Sequence, residues 1–118
     1  MDHKVEVIKI APHLGAEIRG IDLSRELTDQ EFEAVHAAFV EYEVVVLHGQ
    51  KIVAEQHIAF GQRFSELSVH LVSPNLEEMP ELIIFDNNED NPPFGTNRWH
   101  SDETFRLEPP LGTILSAR

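Results

Sequence analysis

With 118 residues, 42% of them apolar and seven of them Phe, the chain can bury a core but no more than one domain, and is excluded from the class of disordered tails. A formal charge of −12 argues against nucleic acid or an anionic membrane as partner, since both need a basic face. Zero Cys excludes a disulfide framework, a thiolate metal site and a cysteine nucleophile, and fits a reducing, cytoplasmic setting.

Met1–Val5 lacks the charged and apolar regions of a signal peptide, and no apolar run is longer than Val44–Leu47, far short of a membrane span. Val5–Ile10 alternates apolar and charged side chains, the pattern of a half-buried strand. Pro12 and Gly15 break it, and Ala16–Ile21 reads as a second short strand, so the chain opens on a predicted hairpin. Thr28-Asp29-Gln30-Glu31 has the form of a capping box, in which the Thr hydroxyl and the Glu carboxylate accept from each other's backbone amides. Phe32, Val35 and Phe39 then share one face of a helix running to about Glu41. His36 lies beside that stripe, as a packed or surface side chain rather than a ligand.

Tyr42–Leu47 is rich in β-branched residues and predicts a buried strand, with His48-Gly49-Gln50 turning out of it. Val53–Ser65 reads as a second amphipathic helix that places Val53, His57, Phe60, Gly61 and Phe64 within one arc. No Ser, Thr, Asp or Asn stands at its start to cap it. Leu67–Val72 is a short extended segment left by the turn Ser73-Pro74-Asn75, and Glu81–Asp86 is another strand. Residues 86–95 form a long polar loop, either a solvated linker or a loop that carries binding residues over a site. Leu111–Arg118 reads as a last strand.

His100 and Asp102 make up the only His-x-Asp in the chain, with Trp99 and Phe105 on either side. In an extended segment, side chains at i and i+2 share a face, so imidazole and carboxylate project together. They are two of the three donors of a 2-His-1-carboxylate site, which holds Fe(II) and leaves positions open for O2 and an organic co-substrate. By spacing alone, the same pair also serves as a turn or a solvated ion pair.

The neighbours add a resemblance. Asn91-Pro92-Pro93, then Asn97 through Phe105, then Glu108-Pro109-Pro110-Leu111-Gly112-Thr113-Ile114-Leu115 closely resembles the taurine dioxygenase (TauD/TfdA) family of Fe(II)- and 2-oxoglutarate-dependent oxygenases. That family's signature is Trp-His-[Ser/Thr]-Asp-x-[Ser/Thr]-Phe, followed by Pro-Pro and a strand. Leu14–Ile18 and Gly20–Leu23 are similar to the family's opening. The implied fold is mixed α+β: a double-stranded β-helix, the clavaminate synthase-like jelly roll, with flanking helices. Residues 1–118 would be the N-terminal portion of one such domain, incomplete at the C-terminus.

The resemblance implies that His100 and Asp102 are metal ligands. It implies that His70 contacts the polar head of the primary substrate, although a His capping a strand end fits the same position. Asn97 lies near a family Asn that approaches substrate. Ser73 stands where the taurine enzyme has a substrate-touching Tyr, which counts against taurine itself. Trp99 and Phe105 would pack the ligand strand, and Ser101 is a spacer. The family's distal His ligand has no counterpart after Asp102, and neither Arg106 nor Arg118 holds the position of its 2-oxoglutarate-binding Arg.

The implied activity hydroxylates a small organic anion (a sulfonate, sulfate ester or carboxylate) with Fe(II), O2 and 2-oxoglutarate, releasing succinate and CO2. An anionic substrate needs a locally positive pocket in this acidic chain. Two other readings remain. A truncated, non-catalytic fragment would act as an association module or homo-oligomer through open strand edges. A hydrolytic zinc site would need a His-Glu-x-x-His or paired Cys, and the sequence has neither.

Overall fold

The hairpin expected at the start of the chain forms. In the computed structural model, which describes residues 4–70, 76–93 and 98–118, β1 (Glu6–Lys9) pairs antiparallel with β2 (Ala16–Arg19). Glu6 lies opposite Arg19, and Lys9 opposite Ala16. The loop closes where the Ile10 amide donates to the Gly15 carbonyl at 2.9 Å. At the far end, Gly20 has φ +83, and a Cβ there would stand 2.6 Å from the Lys4 carbonyl oxygen. Glycine is therefore required where the hairpin's ends meet.

β1 is not half-buried as its alternation suggested; all four residues are exposed. It is the outer strand of the order β1-β2-β3, beyond the cover that the following helix gives β2 and β3. Burial falls instead on β2, where Ala16 and Ile18 are 0% and 3% exposed.

β3 (Val45–Val46) runs parallel to β2, with Ala16 opposite Val45. A parallel pair needs a crossover, and α1 (Asp29–Tyr42) supplies it. The expected strand Tyr42–Leu47 is cut to two residues because Tyr42 ends the helix. The chain then reverses at Glu43 (φ 67, ψ −39), with the Val44 amide donating to the Tyr42 carbonyl at 2.7 Å. That is a γ-turn of the rare positive-φ kind.

The capping box is present: Thr28 Oγ1 accepts from the Glu31 amide at 3.1 Å, and Glu31 Oε2 accepts from the Thr28 amide at 2.9 Å. Arg25 adds a bidentate grip on Glu31, at 3.0 and 2.6 Å. These bonds, those from Arg25 foremost, lower the Glu31 carboxyl to about 2. Val35 and Ala38 carry the buried stripe of α1. Phe32 meets Phe64 edge-on at 4.9 Å between centroids, and Phe39 meets it at 6.0 Å, so an aromatic seam joins α1 to α2 (Ala54–Phe64). His36 sits beside this seam, 5.9 Å from the Phe32 ring, and is exposed, as its position off the stripe suggested.

α2 solves its missing cap from within. Gln56 Oε1 accepts from the Val53 amide, the Glu/Gln half of a capping box, while Gln56 Nε2 donates to the Ser24 carbonyl; both distances are 2.9 Å. Segment 21–27 has no regular structure, yet Ile21, Leu23 and Leu27 are 6–7% exposed and belong to the core. Its backbone is satisfied by side chains. Gln50 bridges the Ile21 carbonyl and the Leu23 amide, and Arg63 donates to the Leu27 carbonyl at 2.7 Å.

These elements lie in the first of two compact units, Met1–Glu66; the second is Leu67–Arg118. Among the described residues of the second unit none lies in a strand, apart from an isolated bridge at Ile83. The strands expected at Glu81–Asp86 and at Leu111–Arg118 are therefore not formed, and the described part of the extended segment Leu67–Val72 joins no ladder. β-branched composition favours extension, but a strand also needs a ladder partner, and the described residues provide none. The observed fold is a mixed α and β arrangement with a three-stranded sheet; a double-stranded β-helix is not formed by the described residues. The polar loop orders itself: Asn88 Oδ1 accepts from the amides of Asp90 and Asn91, and Asn91 Nδ2 donates to the Asp86 carbonyl.

Candidate metal centre

All described parts of the site belong to the second unit. Arg98 to Ser101 is irregular, and the chain turns from Asp102 onward. Glu103 adopts φ 48, and the Arg106 amide donates to the Glu103 carbonyl at 3.1 Å. Side chains at i and i+2 still converge although no ladder holds the backbone straight. His100 Nε2 lies 3.1 Å from Asp102 Oδ1.

The second nitrogen decides what that contact is. His100 Nδ1 is 2.8 Å from the Arg98 carbonyl oxygen, which can only accept, so Nδ1 carries the proton. In a neutral ring Nε2 is then a bare lone pair facing a carboxylate oxygen. Two acceptors at that distance are favourable only with a proton or a cation between them. The structure responds to the first option: the Arg98 carbonyl, then the Asp102 charge, raise the His100 pKa above its ordinary value. A bound metal would displace that proton.

The donor set fits a metal. Imidazole Nε2 with carboxylate oxygen is the borderline pair that suits Fe(II). Neighbouring ligands at roughly 2.1 Å from an octahedral ion stand roughly 3 Å apart, close to the 3.1 Å seen here. The supports of a ligating pair are also present. A metal-bound His commonly gives its other N–H to a carbonyl or carboxylate, and ligating carboxylates are themselves hydrogen-bonded. Here Arg98 fills the first role, and Thr113 Oγ1 fills the second by donating to Asp102 Oδ2 at 3.0 Å. His100 and Asp102 are 65% and 54% exposed, open to incoming ligands. Among the described residues no third His, Cys, Asp or Glu joins them.

A second cluster adjoins the turn. Arg106 Nε donates to Glu103 Oε1 at 2.7 Å, Arg106 Nη2 donates to the Val69 carbonyl at 2.9 Å, and Ser68 Oγ donates weakly to Glu103 Oε2 at 3.4 Å. His70 follows Val69 and is half-buried. Asn97 and Ser73 lie outside the described residues. Trp99 and Phe105 do not pack the His100–Asp102 segment: they are 105% and 69% exposed, because no described residue covers that side. The Phe105 ring lies instead 5.8 Å from the Arg106 guanidinium. Sequence reasoning missed Thr113, which the Pro-Pro pattern presented only as a strand residue, and the Glu103–Arg106 pair, whose i,i+3 spacing was its one visible signal.

The sequence profile of the taurine catabolism dioxygenase TauD, TfdA family matches residues 6–118. An alpha-ketoglutarate-dependent sulfate ester dioxygenase from Pseudomonas putida is 31% identical, over 95% of this chain and 36% of that protein. An alpha-ketoglutarate-dependent sulfonate dioxygenase from Saccharomyces cerevisiae is 30% identical, over 96% of this chain and 30% of that protein. Among solved structures, a Burkholderia xenovorans protein described as a putative alpha-ketoglutarate-dependent taurine dioxygenase aligns with TM-score 0.62 and 36% identity, over 65% of this chain and 28% of its own. The chain thus spans about a third of the length of these curated relatives. No helix among the described residues is long and apolar enough to cross a membrane. With the motif and the profile in agreement, the chain belongs to the TauD/TfdA family of 2-oxoglutarate-dependent dioxygenases.

Proposed function

We propose that residues 1–118 are the N-terminal part of a single dioxygenase domain with a jelly-roll core, which hydroxylates a small organic anion using Fe(II), O2 and 2-oxoglutarate. The observation that carries this reading is the 3.1 Å approach of His100 Nε2 to Asp102 Oδ1, with Nδ1 already committed to the Arg98 carbonyl. The iron and 2-oxoglutarate, when bound, supply the oxidising chemistry. O2, 2-oxoglutarate and a C–H bond become succinate, CO2 and a C–OH, with one oxygen atom entering succinate and the other the product.

The chain's own residues hold and orient. His100 offers a neutral imidazole lone pair, and Asp102 offers the negative charge that offsets the metal's. Arg98 and Thr113 keep the two donors pointed at one place. His70 and Asn97 would donate hydrogen bonds to the anionic head of the substrate. The third ligand and the group that grips the far carboxylate of 2-oxoglutarate would come from the remainder of the relatives' length. Sulfate esters and sulfonates, the substrates in the names of the two curated relatives, are the first substrates to try; carboxylates come next. A cytoplasmic location belongs to the same reading.

The test is succinate release by the full-length, iron-loaded protein across a panel of alkyl sulfates, alkanesulfonates including taurine, and aryloxy carboxylates. An anion other than taurine should give the highest turnover. Taurine outperforming every other member would overturn the reading of Ser73. Succinate production with none of them would favour the association reading instead. In that case Trp99, Leu107 and Leu115, which are 105%, 100% and 84% exposed, would be surfaces for pairing with a second copy.

A further inference from the structure

We propose that Glu103 and Arg106 are positioning residues, a clamp that ties the backbone next to His70 to the turn that carries Asp102 and so sets substrate affinity. The inference deepens the function proposed above and rests on it for the role of His70. Its geometry stands independently.

One guanidinium serves two acceptors that are far apart in sequence: the Glu103 carboxylate at 2.7 Å and the Val69 carbonyl at 2.9 Å. A planar fork does this from two nitrogens held in fixed geometry; a Lys ammonium offers its donors from a single nitrogen on a flexible stem and cannot hold the same span. The Glu103 side chain is 9% exposed and Arg106 29%. A carboxylate so little hydrated is costly without its partner, which holds the guanidinium in place. Ser68 Oγ adds a weak bond to the other Glu103 oxygen. The backbone of Glu103 is committed as well, to φ 48, a conformation a non-glycine residue keeps only where its surroundings fix it. The residue that accepts this strain directly follows Asp102.

The metal ligands do not depend on the clamp. His100 leans on Arg98, and Asp102 on Thr113; neither bonds to Arg106 or Glu103. Loosening the clamp therefore shifts the 68–70 segment, and His70 with it, relative to the ligand turn, while the ligand pair keeps its own supports. Misplacing a binding group by about 1 Å can cost up to about a hundredfold. The loss should appear in substrate KM rather than in iron binding.

The full-length protein would be compared with Arg106→Lys, Arg106→Ala, Glu103→Ala and Glu103→Gln. Arg106→Lys, Arg106→Ala and Glu103→Ala should raise KM for the anionic substrate at least about tenfold. Iron affinity and KM for 2-oxoglutarate should stay as in the parent. Glu103→Gln keeps the acceptor for Arg106 Nε and should recover most of what Glu103→Ala loses. Amide hydrogen exchange, measured without iron or substrate, should quicken at residues 67–70 in Arg106→Ala while helix 29–42 stays protected. If Arg106→Ala fails to fold, Arg106→Lys carries the same test. Unchanged KM together with unchanged exchange would overturn the clamp, as would a loss of iron matching that of an Asp102 variant. If the parent protein itself turns over no anion, the proposed function fails, and hydrogen exchange still decides the clamp.

Discussion

Asp102 has both oxygens engaged, one 3.1 Å from His100 Nε2 and the other accepting from Thr113 at 3.0 Å. Thr113→Val keeps the shape and removes the donor. It should weaken metal binding by about tenfold, the low end for losing an outer-shell partner, in a calorimetric titration of the full-length protein with Fe(II) or Mn(II). An unchanged affinity would show that Thr113 does not support the ligand. Glu43, in the first unit, carries backbone strain of its own: it sits at φ 67 in a γ-turn. Glu43→Gly should raise stability by about 0.5–1 kcal/mol in urea unfolding, since Gly adopts that conformation without a Cβ clash. The convergence of His100 and Asp102 was legible because their relation is local, two residues apart in one segment. Thr113 was not, because its link to Asp102 spans 11 positions and exists only through the fold. Trp99 and Phe105 were misread because aromatic residues beside a site usually pack, and these have nothing described to pack against.

At the scale of elements, the N-terminal hairpin and α1 were readable because their signals are short-range: alternation, breakers and a capping box. Glu31 gives α1 a pH signature. Its carboxyl titrates near 4.5 in an unfolded chain and near 2 in the fold, so its contribution is present above the unfolded value and is lost as pH falls from about 4.5 through about 2. The melting temperatures of the parent and Glu31→Gln should differ at pH 6 and converge toward pH 2; a gap that stays constant would contradict the role of the Arg25–Glu31–Thr28 arrangement. The hairpin has its own test. Gly20→Ala drives a Cβ to 2.6 Å from the Lys4 carbonyl at φ +83, and should cost upwards of about 1 kcal/mol in the same unfolding assay. A neutral result would mean that the hairpin's ends do not meet as described. The predicted strands of the second unit failed for a different reason. Composition reports that a segment tolerates extension, whereas a ladder depends on a partner remote in sequence.

For the whole molecule, the proposed function requires a local motif in an acidic chain, of net charge −12, to hold a metal for 2-oxoglutarate-dependent hydroxylation. Family membership rests on residues 6–118, while the expectation of a jelly roll came only from resemblance, and the described residues form a three-stranded sheet instead. The most direct measurement is iron content and succinate release of the full-length protein beside His100→Ala and Asp102→Ala. His100→Ala removes the imidazole donor, and Asp102→Ala removes the charge that offsets the metal's. Losing an outer partner alone typically costs about 10–100-fold in metal affinity, so each ligand variant should lose at least that much in iron affinity and in turnover. An Asp102→Ala protein that retains near-full iron and turnover would contradict the assignment of this motif as the metal site.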